Sequence, residues 1–120
     1  MLNLNVIPES IFGLKSLKVL SLFNNKLQSI PNSIGNLVKL KSLVLESNKI
    51  KSLPHSIKKL KNLLMLNLSE NRIEKIPLEI LEFEQLEYLD MSDNRLEYSP
   101  ELKGFISSLE EKNKGITISY

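Results

Sequence analysis

The chain has 120 residues, with 16 Lys and Arg against 14 Asp and Glu, one histidine and no cysteine. That length bounds it to a single domain, and the absence of cysteine excludes disulfides, thiolate metal sites and thiol nucleophiles. No apolar run approaches the ~20 residues that span a bilayer, so membrane insertion is not expected, and the opening MLNLNVIPES has neither the basic n-region nor the apolar h-region of a signal peptide.

Taken in chain order, residues 1–16 carry Leu4, Ile7, Pro8, Ile11 and Leu14, spaced as the back half of a repeating unit. From Leu17 onward one frame recurs: LKVLSLFNNKLQSIP (17–31), LKSLVLESNKIKSLP (40–54), LLMLNLSENRIEKIP (63–77) and LEYLDMSDNRLEYSP (86–100). Leucine (Leu17, Leu40, Leu63, Leu86, Leu109), asparagine (Asn25, Asn48, Asn71, Asn94) and proline (Pro8, Pro31, Pro54, Pro77, Pro100) all return every 23 residues. Three residue types on one spacing define an internal repeat.

Alternation at Leu20/Leu22, Leu43/Leu45, Leu66/Leu68 and Leu89/Met91 has a period of two and predicts a short strand in each repeat. Successive strands stack in parallel, and the asparagine that follows each one satisfies backbone groups where the chain bends. Asn25, Asn48, Asn71 and Asn94 are therefore expected to form a structural ladder. Past each proline, two further columns (Ile11, Ile34, Ile57, Ile80 and Leu14, Leu37, Leu60, Phe83, Ile106) predict short helical turns on the return path. Each unit buries its apolar side only against its neighbours, which makes a curved solenoid.

This L-x-x-L-x-L-x-x-N-x-L-x-x-I-P frame resembles that of the 23-residue leucine-rich repeat proteins, closest to bacterial examples such as those numerous in pathogenic spirochaetes and to the Ras-suppressor-like and related plant intracellular types. The resemblance implies an α/β leucine-rich repeat solenoid, with a short parallel sheet on the concave face and short helical turns on the convex face. It also implies recognition of another protein, usually through the concave face, with no catalysis and no cofactor. The expected organisation is one domain over 1–120: a partial repeat at 1–16, four repeats over 17–108, and a C-terminal cap at 109–120 whose helix begins near 101.

Both ends depart from the frame. Where residues 1–16 should carry the ladder asparagine, Leu2 stands instead. No polar cap is visible, so Leu4, Ile7, Ile11 and Leu14 are expected to form an exposed apolar edge. At the other end Ser99 replaces Ile or Leu; ELKGFISSLEEKNKG reads as a longer helix with Phe105, Ile106 and Leu109 inward and Gly115 as its C-cap, and Ile116–Ser119 reads as a final edge strand. The compartment is cytoplasmic if Met1 is the native start, and secreted or surface-exposed if a signal peptide has been removed.

Candidate chemistry is sparse. Asp90, Ser92, Asn94 and Glu101 fall at calcium-loop offsets, but Arg95 stands where that loop needs glycine, and all lie on the repeat grid. Asn67-Leu68-Ser69 is a glycosylation sequon inside a strand, and His55 has no second histidine with which to share a metal. Lys58, Lys59 and Lys61 lack nearby aromatics, so they read as a solvated face rather than a nucleic-acid site. No phosphate loop or nucleophile elbow is present. No catalytic residue, metal or cofactor is expected.

The outward strand positions form the candidate site. Val19, Phe23, Val44, Met65, Asn67, Tyr88 and Asp90 lie together on the repeat grid, and the apolar members make a diagonal group on a face that folding does not require to be apolar. Charge is polarised: residues 1–62 hold ten Lys and only Glu9 and Glu46, net +8, whereas residues 63–120 are net −6. A structural or self-associating role is the alternative function. It takes the form of a weak homodimer in which two apolar N-terminal edges pair, favoured over head-to-tail stacking.

Overall fold

The computed structural model describes residues 3–120. Five three-residue strands, β1 (Val19–Ser21), β2 (Ser42–Val44), β3 (Met65–Asn67), β4 (Tyr88–Asp90) and β5 (Thr117–Ser119), form one parallel sheet in the order β1-β2-β3-β4-β5. The register follows the 23-residue period from β1 to β4: Leu20 lies beside Leu43, Leu43 beside Leu66, and Leu66 beside Leu89. These central leucines point inward and are buried, as are Leu22, Leu45, Leu68 and Met91 two positions on. The strands are short because the chain turns sharply after them. Asn24, Ser47, Glu70 and Asp93 all adopt the left-handed conformation, with φ of 54–58°.

The return path is convex. Four 3-10 turns, Glu9–Gly13, Asn32–Asn36, His55–Lys59 and Leu78–Glu82, each follow a proline. The N–H groups of Ile11, Ile34, Ile57 and Ile80 donate to the carbonyls of Pro8, Pro31, Pro54 and Pro77 at 3.0–3.1 Å. Proline suits that position because it fixes φ and has no N–H of its own to satisfy. Ile34, Ile57, Ile80, Leu37 and Leu60 are fully buried, so the core is a column shared by successive layers.

The N-terminal layer departs from the exposed edge the sequence suggests. Ile7 is 1% exposed, Leu4 and Ile11 are half-buried, and Phe12 takes the inward place beside Ile11, leaving Leu14 as the exposed member. The cause is a docking contact: Leu4 N–H donates to Asn25 Oδ1 and Lys26 N–H donates to the Leu4 carbonyl, both at 2.8 Å. This pins residues 4–7 against the next layer. Leu2 lies outside the described residues.

At the far end α1 (Pro100–Lys112) replaces the 3-10 turn. Ser99 is its N-cap, accepting from Leu102 N–H at 3.1 Å, and Pro100 opens the first turn. Leu102 joins Phe105, Ile106 and Leu109 on the buried side. Asn113, rather than Gly115, closes the helix: its N–H donates to the Leu109 carbonyl, and Gly115 takes a positive φ of 81° two residues later, where the chain turns into β5.

Candidate functional site

The sheet register sets the outward side chains in rows. Val19, Ser42, Met65, Tyr88 and Thr117 form the first row; Ser21, Val44, Asn67, Asp90 and Ser119 form the second. Phe23, Glu46, Ser69 and Ser92 continue beyond them at the same period. Val19 and Phe23 are exposed, on the unflanked side of the sheet, whereas Val44, Met65, Asn67, Tyr88 and Asp90 are half-buried between neighbouring strands. The apolar group is thus graded, most open at β1.

Toward β4 the face becomes polar and internally bonded. Asn67 Nδ2 donates to Glu46 Oε2 at 3.2 Å, and Asn67 Oδ1 accepts from the Ser69 N–H and hydroxyl at 3.0 and 2.7 Å. Asp90 repeats this arrangement one layer on, accepting from the Ser92 N–H and hydroxyl at 2.9 and 2.6 Å. Its other oxygen accepts from the Tyr88 hydroxyl at 3.3 Å. Burial, then the Asp90 charge and hydrogen bond, then the Glu46 charge hold the Tyr88 phenol above its ordinary pKa. The result is a pre-ordered set of donors and acceptors beside an apolar patch.

Behind the face runs the asparagine series. Asn48 Oδ1 accepts from Leu27 N–H at 3.0 Å, and its Nδ2 donates to the Leu22 and Leu45 carbonyls at 2.9 and 3.0 Å. Asn71 does the same with Ile50 N–H and the Leu45 and Leu68 carbonyls. Asn94 accepts from Ile73 N–H and Asn25 from Leu4 N–H, both being half-buried. The sequence does not signal a fifth member. Asn113, buried at the end of α1, accepts from Leu86 N–H and donates to the Phe83 carbonyl, both at 3.1 Å.

The remaining candidates are dispersed. Asn94 of the calcium-like stretch is occupied by the ladder, and among the described residues no three His, Cys, Asp or Glu side chains group as a metal site. His55 is exposed on the convex side, 3.1 Å from Glu79 Oε2. A depression of about 770 Å³ lies off the sheet on a flank where Glu74, Lys75, Arg95 and Glu101 present charges of both signs. Among the described residues no helix is long and apolar enough to cross a membrane.

A parallel sheet laid one strand per turn, closed by amide ladders and backed by 3-10 turns, defines a repeat solenoid with an open concave face. The model of the leucine-rich repeat region matches residues 17–117, and the chain belongs to that family. It is similar to a leucine-rich repeat protein of Leptospira interrogans, with 27% identity over 98% of this chain and 35% of that one and a TM-score of 0.66. It is also similar to an internalin of Listeria monocytogenes, with 25% identity over 95% of this chain and 31% of that one and a TM-score of 0.79. The chain thus spans about a third of the length of each. No curated protein matches the sequence. Leucine-rich repeat domains generally mediate protein–protein interaction and are typically non-enzymatic.

Proposed function

We propose that this domain is a non-enzymatic module that binds another protein through its concave face, without cofactor or metal and without contacting nucleic acid. The observation that carries this reading is the contiguity of Val19, Phe23, Val44, Met65 and Tyr88 on two adjoining rows and their continuation, flanked by the ordered polar groups of Asn67 and Asp90. Apolar and aromatic groups beside pre-bonded polar ones suit a recognition surface, because little ordering remains to be done on binding. Five strands at about 4.8 Å spacing give a face roughly 20 Å wide, which fits one helix or extended segment of a partner. Tyr88 is the anchor, being aromatic, half-buried and held by Asp90. Capture of binding proteins with the parent chain and with the double variant Tyr88→Ala, Met65→Ala tests the site. A partner lost by the double variant supports the concave face, and a partner retained at full affinity removes it.

Self-association through the N-terminal edge is the second reading. It is favoured by four exposed apolar side chains, Val6, Leu14, Val19 and Phe23, in the first two layers of the described residues.

A further inference from the structure

One flank of the solenoid gathers lysines that neither the sheet nor the core needs. Where each of the first three 3-10 turns leads back toward a strand, the chain makes the same tight corner: the N–H groups of Leu17, Leu40 and Leu63 donate to the carbonyls of Leu14, Leu37 and Leu60 at 2.9–3.1 Å. The corners stack layer on layer, with Lys41 N–H donating to the Lys18 carbonyl at 2.8 Å and Asn62 Nδ2 to the Val38 carbonyl at 3.0 Å. They bring together the exposed Lys15 and Lys18, Lys39 and Lys41, and Lys59 and Lys61, two per layer over three layers. We propose that this flank seats the domain on an anionic lipid surface, with the lysines at the headgroups and Val38 among them at the apolar boundary. This stands apart from the concave-face reading, whose first row begins one residue after Lys18 and Lys41 and stays uncovered.

Like charges stacked in register repel, so this arrangement lowers stability rather than adding to it. The fold does not demand it, because the side chains are exposed, and at the positions of Lys41, Lys59 and Lys61 the fourth layer carries Glu87, Glu82 and Glu84. Nor is the charge neutralised nearby. The only carboxylates of residues 3–62 are Glu9, which opens the first 3-10 turn, and Glu46, which faces Asn67 on the concave side. Among the described residues the one ion pair is His55 with Glu79. The other cations of the same layers lie elsewhere: Lys26, Lys49 and Lys51 past the strands on the opposite flank, and Lys58 on the third 3-10 turn. Beyond the acidic fourth layer, Lys112 and Lys114 offset Glu110 and Glu111, so the flank is of one sign only across its first three layers.

The chemistry of the flank selects its occupant. Every cation of residues 3–62 is a lysine. An ammonium is a compact point charge without the planar fork by which arginine grips a carboxylate or phosphate, so it suits a diffuse anionic surface better than a directional ligand. Lysines near an anionic leaflet each add to the attraction. Val38, 48% exposed in an interior layer, stands between Lys15 and Lys61 in its column, and half-buried Leu64 follows Lys18 and Lys41 in theirs. Apolar side chains set among lysines are what the boundary of headgroups and acyl chains takes up, and an acidic polypeptide has no need of them. The depression of about 770 Å³, with room for a peptide segment, lies on the opposite flank.

Co-sedimentation of the 120-residue protein with vesicles provides the test, using phosphatidylcholine alone and phosphatidylcholine with about one-third phosphatidylglycerol. The parent should bind the anionic vesicles and not the neutral ones, and its binding should fall as salt is raised. The triple variant Lys41→Glu, Lys59→Glu, Lys61→Glu takes glutamate at positions where the fourth layer already carries it, and it should bind roughly tenfold more weakly or worse. Lys26→Glu, Lys49→Glu, Lys51→Glu changes the net charge equally on the opposite flank and should stay within about twofold of the parent. Val38→Ser should weaken binding about threefold. No binding to the anionic vesicles, equal losses in the two triple variants, or a Val38→Ser protein that binds like the parent overturns the proposal. Binding to polyglutamate without binding to vesicles overturns it in favour of an acidic protein partner. The Tyr88→Ala, Met65→Ala variant should bind vesicles like the parent, so this proposal and the concave-face reading fail separately.

Discussion

Asn71 Oδ1 accepts the N–H of Ile50, twenty-one residues earlier, at 3.0 Å, and both residues are buried. One side chain therefore holds two consecutive repeats together. Replacing Asn71 with Ala leaves the buried Ile50 N–H without its acceptor, while the Leu45 carbonyl keeps its bond from Asn48 Nδ2, at a cost of about 1–3 kcal/mol. Asn25→Ala, at a half-buried terminal site, should cost less. Urea melts of the two variants rank them, and an Asn71→Ala midpoint equal to the parent's contradicts the ladder's structural role.

Two glycines should respond in opposite directions to alanine. A Cβ on Gly35 would meet Ser56 Cβ and the Ser56 carbonyl oxygen at 3.0 Å, where two 3-10 turns stack. Overpacking there costs about 1–3 kcal/mol. Gly104 lies within α1 with nothing near its Cβ position, so Gly104→Ala should stabilise by about 0.5–1 kcal/mol. Thermal melting checks both signs.

Glu70 holds a left-handed backbone, φ 54°, where Asn24 serves in the first repeat. Asparagine tolerates that conformation better than glutamate. Glu70→Asn should gain about 0.5–1 kcal/mol, less the small contribution of the exposed hydrogen bond from the Ser47 hydroxyl to Glu70 Oε2. Equilibrium unfolding measures the gain.

The Tyr88 phenol titrates above its ordinary value of 10.0, through burial first and Asp90 second. A pKa raised on folding contributes stability that is complete below the unfolded value and is lost as pH rises through the folded one. Folding stability should therefore decline above about pH 10, and Asp90→Asn should bring the phenol back toward the ordinary range. Ring NMR titration of Tyr88 reads the shift directly.

Much of the fold was legible in the sequence, for a physical reason. A period of 23 shared by leucine, asparagine and proline fixes strand, bend and return turn together, so sheet register and outward rows follow from residue spacing. What escaped it lies where the period stops. Ile7 and Leu14 both lie on the repeat grid, yet one is buried and the other exposed, because among the described residues their layer has a neighbour on one side only. Asn113 stands nineteen residues after Asn94, off the grid, and its partners belong to the previous layer. The left-handed positions carry Asn, Ser, Glu and Asp, so no glycine marked them.

The amide bonds also impose an order on synthesis. Leu27 waits for Asn48, Ile50 for Asn71, Ile73 for Asn94, and Leu86 for Asn113. A ribosome delivers these residues from the N-terminus, so each newly made layer emerges before the carboxamide that closes it. The growing chain carries an open layer at its youngest end until the segment bearing Asn113 is made, and a stall anywhere upstream exposes that layer's unpaired N–H together with the leucines behind it.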